Sequence, residues 1–273
     1  MHPLLFGIWP SYFTLWVVAA TSALILGAIL AKRADTNAPT GRTLLALALC
    51  VVAVLGGSKV LYVLETYWFP HDDYVPAEMR SARHGFRIPG GMLALAALLP
   101  VFCRGLKLPW RRFGDSVAIL AALALIFIRL GCFLNGCCFG KPSDAPWAMS
   151  FPKGSWAFWY HQTQHWVPTG ASHSLPVEPL QLHFCIAAAS TLAFLLLIRR
   201  RSLRPGLLQL IFYTLFFGTT ALLEPLRQVH LTLNSWIVPL AAIACASLLL
   251  TDERRQAVHV HNVLPTSQGG IRC

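Results

Sequence analysis

Apolar and polar residues occur in long separate blocks along this chain, unlike the short periods typical of water-soluble domains. A transmembrane α-helix needs about 20 apolar residues to cross about 30 Å of hydrocarbon. Seven blocks approach that length and are separated by polar connections. The pattern predicts an all-α integral membrane protein with spans at residues 12–31, 43–65, 89–103, 115–135, 180–198, 205–224 and 236–250.

Composition strengthens the membrane interpretation and excludes a water-soluble enzyme. Hydrophobic residues make up 56% of the chain and charged residues only 12%, whereas roughly a quarter of the residues in soluble domains are charged. The net charge of +11 comes mostly from Lys and Arg in the connections between apolar blocks. No basic face is interleaved with aromatic residues, so no nucleic acid is expected among the partners.

The distribution of basic residues predicts the orientation in the membrane. With the N-terminus outside, the inside connections carry 14 Lys and Arg and the outside connections carry 6, as the positive-inside rule requires. Residues 1–250 then form a single polytopic domain, and residues 251–273 form a cytoplasmic tail. Two outside connections are long, at 66–88 and 136–179. The second either rests at the level of the lipid headgroups or forms a periplasmic cap over a site.

Arg129 is the most costly residue for a membrane segment, because it lies deep within the fourth predicted span. A permanently charged side chain there faces a partner or a wet cavity in most membrane proteins. Its planar guanidinium is suited to gripping a phosphate through two parallel hydrogen bonds. The structural alternatives are snorkelling to the headgroups or pairing with Glu65 or Glu224.

Glycine and cysteine dominate the segment that follows Arg129. The glycines allow the backbone to approach a ligand closely. Cys132, Cys137 and Cys138 form a possible thiol cluster. A redox pair, a soft-metal site and simple packing beside glycines are the three interpretations. Adjacent cysteines point apart in most conformations, so no metal site is expected.

The region from Arg129 onward resembles the bacterial prolipoprotein diacylglyceryl transferases, in a divergent branch with Gly-Cys-Phe-Leu and Gly-Cys-Cys elements. The matching residues are Arg129, Gly131, Phe133, Asn135, Gly136, Gly140, Pro142, Asp144, Pro146, Trp147, Ala148, Met149, Phe151 and Pro152. Weaker similarities elsewhere in the chain, in the order of the family, include Tyr12, Lys59, Tyr62, Gly90, Gly91, Gln181, Glu224 and Arg227.

The resemblance implies an inner-membrane enzyme of seven helices that needs no cofactor. Its partners would be phosphatidylglycerol and prolipoproteins that carry a lipobox. It would move the diacylglyceryl group to the lipobox cysteine thiol and release glycerol phosphate. Arg129 and Asn135 would be catalytic. Residues implied to bind substrate are Tyr12, Lys59, Tyr62, Gly90, Gly91, Gly136, Gly140, Gln181, Glu224 and Arg227. For the pair Glu224 and Arg227, a structural ion pair at the membrane boundary is the alternative.

Five positions depart from the family pattern, and three of them, Cys132, Cys137 and His183, stand where the family has Asn, Glu and Tyr. Pro89 stands where the family has a histidine that could serve as base for the attacking thiol, and Thr220 stands in place of an arginine. His84 is a possible substitute for that histidine. The departures leave two alternatives open: a family member without catalysis that binds or moves a lipid or amphiphile, and a membrane thiol oxidoreductase based on the cysteines.

Overall fold

A computed structural model of the chain describes residues 4–5, 9–10, 40–68, 85–200, 204–228, 235–245 and 247–248. Two short strands, β1 and β2, pair in antiparallel register near the N-terminus. The remaining elements are helical. The elements are β1 (Leu4–Leu5), β2 (Trp9–Pro10), α1 (Thr40–Trp68), α2 (Ile88–Gly105), α3 (Trp110–Asn135), α4 (Trp156–Thr163), α5 (Leu180–Arg199), α6 (Leu207–Leu223), a 3-10 turn (Glu224–Leu226) and α7 (Ser235–Cys245).

Within the described ranges, five helices are long and apolar enough to cross a membrane. They coincide with the second to sixth predicted spans, which confirms a helical membrane protein. The third predicted span, given as 89–103, is longer than expected, because α2 covers 18 residues from Ile88 to Gly105. The first predicted span and Tyr12 fall in a part of the chain that the structure does not describe. The seventh overlaps the shorter apolar helix α7, so seven spans and their orientation stay predictions.

Close packing between α1 and α2 depends on glycine. A β-carbon on Gly90 would lie 2.5 Å from the carbonyl oxygen of Gly57, and one on Gly91 would lie 2.6 Å from that of Val54. Small residues let helix backbones approach closely, which is a common packing device in membrane helices. Gly90 and Gly91 were predicted to bind substrate, and the structure places both at this helix contact.

Helix α3 packs against α5 and α6, and α5 packs against α6. Buried side chains from all three helices share one apolar core, including Leu120, Leu125, Leu195, Phe212 and Phe216. Near the start of α3, Asp115 accepts hydrogen bonds from the backbone amides of Gly206 at 2.7 Å and Gln209 at 3.0 Å. These amides lie at the start of α6. Asp115 therefore caps the N-terminus of α6, although it belongs to α3.

Residues 136–179, here called the cap segment, are folded and contain the short helix α4. Its small apolar core consists of Phe139, Phe151, Ala157 and Val177. Gly140 pairs with Arg227 in a single β-bridge, which ties the cap segment to the end of α6. This connection places the functional residues after Arg129 beside the Glu224–Arg227 turn.

Candidate active site

Charged side chains from different helices converge at one end of the helix bundle. Three arginines belong to this group and are called here the arginine cluster: Arg87 before α2, Arg129 on α3 and Arg227 after α6. Arg227 interacts electrostatically with each of the other two. The cluster therefore joins segments that are distant in sequence into one polar region.

Arg129 is buried, with only 5% of its surface exposed. Its guanidinium carbon lies 4.0 Å from the centre of the Phe184 ring on α5. A cation above an aromatic face is stabilised by the ring quadrupole. The guanidinium is thus held in position by packing, and Glu224 is within electrostatic range. Snorkelling to the bilayer surface does not describe this buried side chain.

Arg227 and Glu224 form an ion pair in the turn after α6, with 3.0 Å between Nε and Oε1. Both side chains are buried. Burial alone would lower the pKa of Arg227, but Cys138 and Glu224 raise the pKa above its ordinary value. The contact lacks hydrogen-bond geometry, and both carboxylate oxygens of Glu224 have no hydrogen-bond partner among the described residues. These atoms retain capacity to bind a polar group.

Arg87 belongs to the site, although the sequence marked it only as a basic residue in an outside connection. Its guanidinium lies 5.4 Å from the centre of the Tyr62 ring, and the Lys59 ammonium lies 4.8 Å from the same ring. Burial lowers the pKa of Arg87, while Cys138 and Glu65 act in the opposite direction. Lys59 and Tyr62 thus join the arginine cluster through Arg87. The sequence gives one indication that Arg87 belongs to the site, which is its position two residues before Pro89.

The three sulfur atoms of Cys132, Cys137 and Cys138, here called the thiol cluster, all lie within 4.8 Å of one another. The sequence argument that adjacent cysteines point apart does not hold here. Cys138 has a left-handed backbone with φ of 58°, and this conformation brings its side chain to the same side as that of Cys137. All three thiols are free. The spacing by itself suits a soft cation, but the nearby arginines disfavour a positive guest, and we assign no metal ligands here.

Two thiols of this cluster differ strongly in acidity. Hydrogen bonds from Cys132 and Cys137, followed by the charges of Arg227 and Arg129, hold the pKa of Cys138 well below its usual range. The hydrogen bonds with Cys132 and Cys138, together with burial, raise the pKa of Cys137 well above its usual range. Among these thiols the anion is therefore favoured at Cys138, while Cys137 donates from Sγ to the Cys132 carbonyl oxygen at 3.7 Å.

Gln181 and Gly136 shape the backbone around the thiol cluster. Gln181 is fully buried and donates from Nε2 to the carbonyl oxygen of Cys137 at 2.6 Å. Gly136 ends α3 in a left-handed conformation with φ of 67°, and a β-carbon there would lie 2.7 Å from Cβ of Ser155. The Oε1 atom of Gln181 has no hydrogen-bond partner in the described part of the chain. Gln181 therefore braces the segment and keeps one acceptor available.

Asn135 and Gly140 lie on either side of the two adjacent cysteines. Asn135 is the last residue of α3 and is half-buried. The Gly140 amide donates to the Glu178 carbonyl oxygen at 2.9 Å, and a β-carbon at Gly140 would lie 2.6 Å from Cβ of Glu178. The structure therefore assigns Gly140 a packing role within the cap segment, and Asn135 lies at the end of α3, two residues before Cys137.

An apolar cavity extends from Arg129 between α3, α5 and α6. The cavity is narrow, with about 20 Å³ of room for water-sized groups, which is space for one or two waters. Its lining includes Leu125, Phe184, Phe216 and Thr220. Thr220 donates its hydroxyl to the Phe216 carbonyl oxygen of its own helix at 2.7 Å. The cavity therefore joins a buried cation to apolar walls.

Comparison with known proteins identifies the surrounding sequence pattern. A family model described as prolipoprotein diacylglyceryl transferase matches residues 3–251. This match covers the arginine cluster, the thiol cluster and the cap segment. It also extends over the N-terminal residues that contain Tyr12.

Individual relatives are similar to this chain at moderate identity, and those described below are named phosphatidylglycerol–prolipoprotein diacylglyceryl transferase. The protein of Rhodospirillum rubrum is 40% identical over 111 residues, which are 39% of this chain and 40% of the relative. That of Cupriavidus pinatubonensis is 26% identical over 222 residues, or 76% of this chain and 72% of the relative. That of Allorhizobium ampelinum is 29% identical over 175 residues, or 60% of each. The chain thus spans less than half of the Rhodospirillum relative and nearly three quarters of the Cupriavidus relative.

Proposed function

The chain belongs to the prolipoprotein diacylglyceryl transferase family, and on this basis we propose that it transfers a diacylglyceryl group from phosphatidylglycerol to a lipobox cysteine of prolipoproteins. The product would be a thioether on the lipoprotein precursor, and glycerol phosphate would be released. The proposed location is the bacterial inner membrane, with the site facing the outer leaflet. The five apolar helices agree with a multi-pass membrane protein.

The observation that carries this proposal is the buried guanidinium of Arg129 at the head of an apolar cavity. A phospholipid has the same two parts, since an anionic phosphate is joined to apolar acyl chains. In this arrangement Arg129 binds the phosphate, and an acyl chain lies along the apolar walls between α3, α5 and α6, which separate to admit it. Burial of the guanidinium strengthens its interaction with an anion, because water screening is reduced.

The proposed chemistry is a displacement at one carbon of phosphatidylglycerol. This carbon belongs to the diacylated glycerol and carries the phosphate ester. The lipobox thiolate attacks this carbon, the carbon–oxygen bond breaks, and the phosphate leaves with the electron pair. Negative charge grows on the phosphate during the step, so preorganised cations stabilise the transition state. Arg129 and Arg227 supply those cations. Asn135 orients the glycerol headgroup from the end of α3.

The alternative is a lipid-binding protein that retains the family scaffold without transferase activity. One observation favours it: Thr220 is hydrogen-bonded to its own helix at the position where the family has an arginine. Together with Pro89, this removes two polar groups from the expected site. The thiol oxidoreductase alternative would depend on reversible oxidation of the thiol cluster.

An assay with phosphatidylglycerol liposomes and a lipobox peptide tests the proposal. The protein is supplied in detergent, and mass spectrometry measures the diacylglyceryl addition to the peptide. Arg129→Ala should lower the rate by about 10²–10³-fold, the loss typical of one removed transition-state donor. Arg104→Ala is the matched control, because Arg104 is exposed at the other end of the bundle. It should leave the rate unchanged.

Product formation by the parent chain and its loss in Arg129→Ala would support the transferase. Binding of phosphatidylglycerol with no peptide product would favour the lipid-binding alternative. Equal product from the parent and Arg129→Ala would contradict the assigned role of Arg129. Reversible loss of two reactive thiols on oxidation, with no lipid dependence, would favour the oxidoreductase.

A further inference from the structure

The proposed reaction requires a proton acceptor for the lipobox thiol, and the start of α2 does not provide one. Pro89 has no titratable group. His84 falls outside the residues that the structure describes. Arg87 lies two residues before Pro89 and interacts electrostatically with Cys138. Cys138 therefore lies in the neighbourhood of the position where the histidine is missing.

The backbone at Cys138 is unusual for this residue type. Its φ of 58° places it in the left-handed region, which non-glycine residues occupy at a cost. Such conformations cluster at active sites, where the surrounding structure enforces them. Here the left-handed turn directs the Cys138 sulfur to within 4.8 Å of the sulfurs of Cys132 and Cys137. Gln181 holds the preceding carbonyl group through a 2.6 Å hydrogen bond.

Groups that favour an anion surround this sulfur. The sulfurs of Cys132 and Cys137 lie within 4.8 Å of it. Arg227, Arg129 and Arg87 all interact with Cys138 electrostatically. Two carboxylates lie nearby, since Glu224 is paired with Arg227 and the buried Glu65 interacts with Arg87. Three guanidinium groups against two carboxylates leave one positive charge that a thiolate neutralises.

We infer that Cys138, as a thiolate, is the general base that takes the proton from the lipobox cysteine thiol. This role rests on the proposed transferase function. The assignment of a base at Cys138 does not follow from the family pattern described above, because that pattern has no base at this position. The residue acts directly on the reacting thiol and is therefore a catalytic residue.

The proton and electron balance is simple. The lipobox S–H bond breaks, its proton moves to the Cys138 sulfur, and the lipobox sulfur keeps the electron pair. That sulfur then forms a bond to the glycerol carbon as the carbon–oxygen bond breaks. The proton on Cys138 passes to the departing phosphate, which restores the thiolate.

Substitution of Cys138 tests the role by transfer kinetics. Cys138→Gly removes the sulfur, and relief of the left-handed backbone offsets part of the cost of losing the thiolate beside the arginines, so the protein should still fold, as Tm measures. Its kcat should fall about 10²–10⁴-fold, the usual contribution of a general base, while KM for phosphatidylglycerol changes little. Cys138→Ser should lose activity similarly, because its hydroxyl stays protonated. Cys245→Ser is the matched cysteine control and should keep full activity.

The pH dependence and alkylation separate this role from a structural one. In the parent chain, kcat/KM should fall at acidic pH as Cys138 takes up a proton, and this limb should be absent from the residual activity of Cys138→Gly. The groups near Cys138 are Cys132, Cys137, Arg87, Arg129 and Arg227, with Glu224 beside Arg227 and Glu65 near Arg87. Alkylation by iodoacetamide, followed by peptide mass spectrometry, should modify Cys138 at least tenfold faster at pH 6 than Cys137.

The outcomes distinguish failure of the base from failure of the proposed function. An active parent chain whose Cys138→Gly variant retains at least half of its kcat would overturn the inference and leave the transferase intact. Alkylation of Cys138 no faster than Cys137 at pH 6 would also overturn it. A parent chain that forms no product, yet shows rapid alkylation at Cys138, would reject the transferase and retain the thiolate.

Discussion

The two ends of α3 each carry a charged side chain, but the two charges are satisfied differently. At the start of the helix, each carboxylate oxygen of Asp115 accepts one backbone N–H bond from α6. Toward the other end, Arg129 lies against the Phe184 ring and faces a cavity. Nearby, Glu224 has two oxygens with no hydrogen-bond partner among the described residues.

This contrast separates a structural charge from a functional one. The Asp115 interactions join α3 to α6 and leave no capacity for a ligand at the bonded amides. The Arg129 end holds an excess of positive charge and several buried polar atoms without partners. Incomplete satisfaction is costly in a folded protein, so it is expected where a substrate later supplies the missing partners.

Removing the buried carboxylate at the Arg129 end should have the largest effect. Glu224→Gln leaves Arg227 without its ion-pair partner at 3.0 Å. Breaking a buried pair from one side typically costs about 3–5 kcal/mol. Thermal unfolding in detergent should show a large fall in Tm, and transfer should be nearly lost. An unchanged Tm would show that the Glu224–Arg227 ion pair contributes nothing to stability and would break the comparison.

Removing the carboxylate at the other end should affect stability alone. Asp115→Ala deprives two amides of α6 of their acceptor, and we expect a loss of about 2 kcal/mol, as for hydrogen bonds to charged groups. The specific activity of the folded fraction should stay near the parent value. The measurement combines Tm with transfer rate per folded molecule. A selective loss of activity would show that the Asp115 end also serves the reaction.

Filling the cavity tests whether its apolar walls bind an acyl chain. Ala187 lines the cavity on α5, so Ala187→Phe should raise KM for phosphatidylglycerol about tenfold, or about 1.4 kcal/mol. Ala189 is exposed on the same helix. Ala189→Phe is therefore the control, with an unchanged KM expected. Equal kinetics for both variants would remove the cavity from the proposed substrate site.

The smallest effect is expected from acid, in the cap segment above the arginine cluster. Burial lowers the pKa of His161 to about 4, and its Nδ1 accepts a hydrogen bond from the Leu175 amide at 3.1 Å. Between about pH 6.5 and 4 the unfolded chain binds the proton more readily. Stability is therefore complete above this window and falls as pH decreases, by roughly 1 kcal/mol near pH 6.

Thermal unfolding across that pH range measures the effect of His161. His161→Gln retains an acceptor but cannot take up the proton, so its Tm should depend less on pH than that of the parent. An identical pH dependence in both proteins would assign the acid sensitivity to other groups. Comparison of this Tm profile with the pH profile of the transfer rate shows whether the stability of the cap segment and the activity of the arginine cluster depend on pH separately.

Sequence reasoning was effective for elements that depend on local composition. The apolar blocks predicted the five long helices, and the residues from Arg129 to Pro152 identified the family. It was less effective for α2, which begins at Ile88 and extends to Gly105. Hydrophobicity marks a span, but helix ends depend on the turns that follow, as with the Leu106 amide bonded to Phe102.

The candidate site was predicted only in part. Arg129, Glu224 and Arg227 were recognised because charges are rare in apolar segments. Arg87 was missed, since an arginine in a polar connection has no distinctive pattern. Gly90 and Gly91 matched the family, but only the structure shows their close approach to α1.

The sequence by itself determined the class of the molecule, its membrane helices and its family, because each depends on residue types in a linear order. The tertiary structure decided which charges meet and which thiol is favoured as an anion. Helix packing brings Arg87 and Arg227 to Cys138, and the left-handed turn gathers the three sulfurs. These relations depend on helix rotation and on single backbone angles, which the order of residues along the chain does not express.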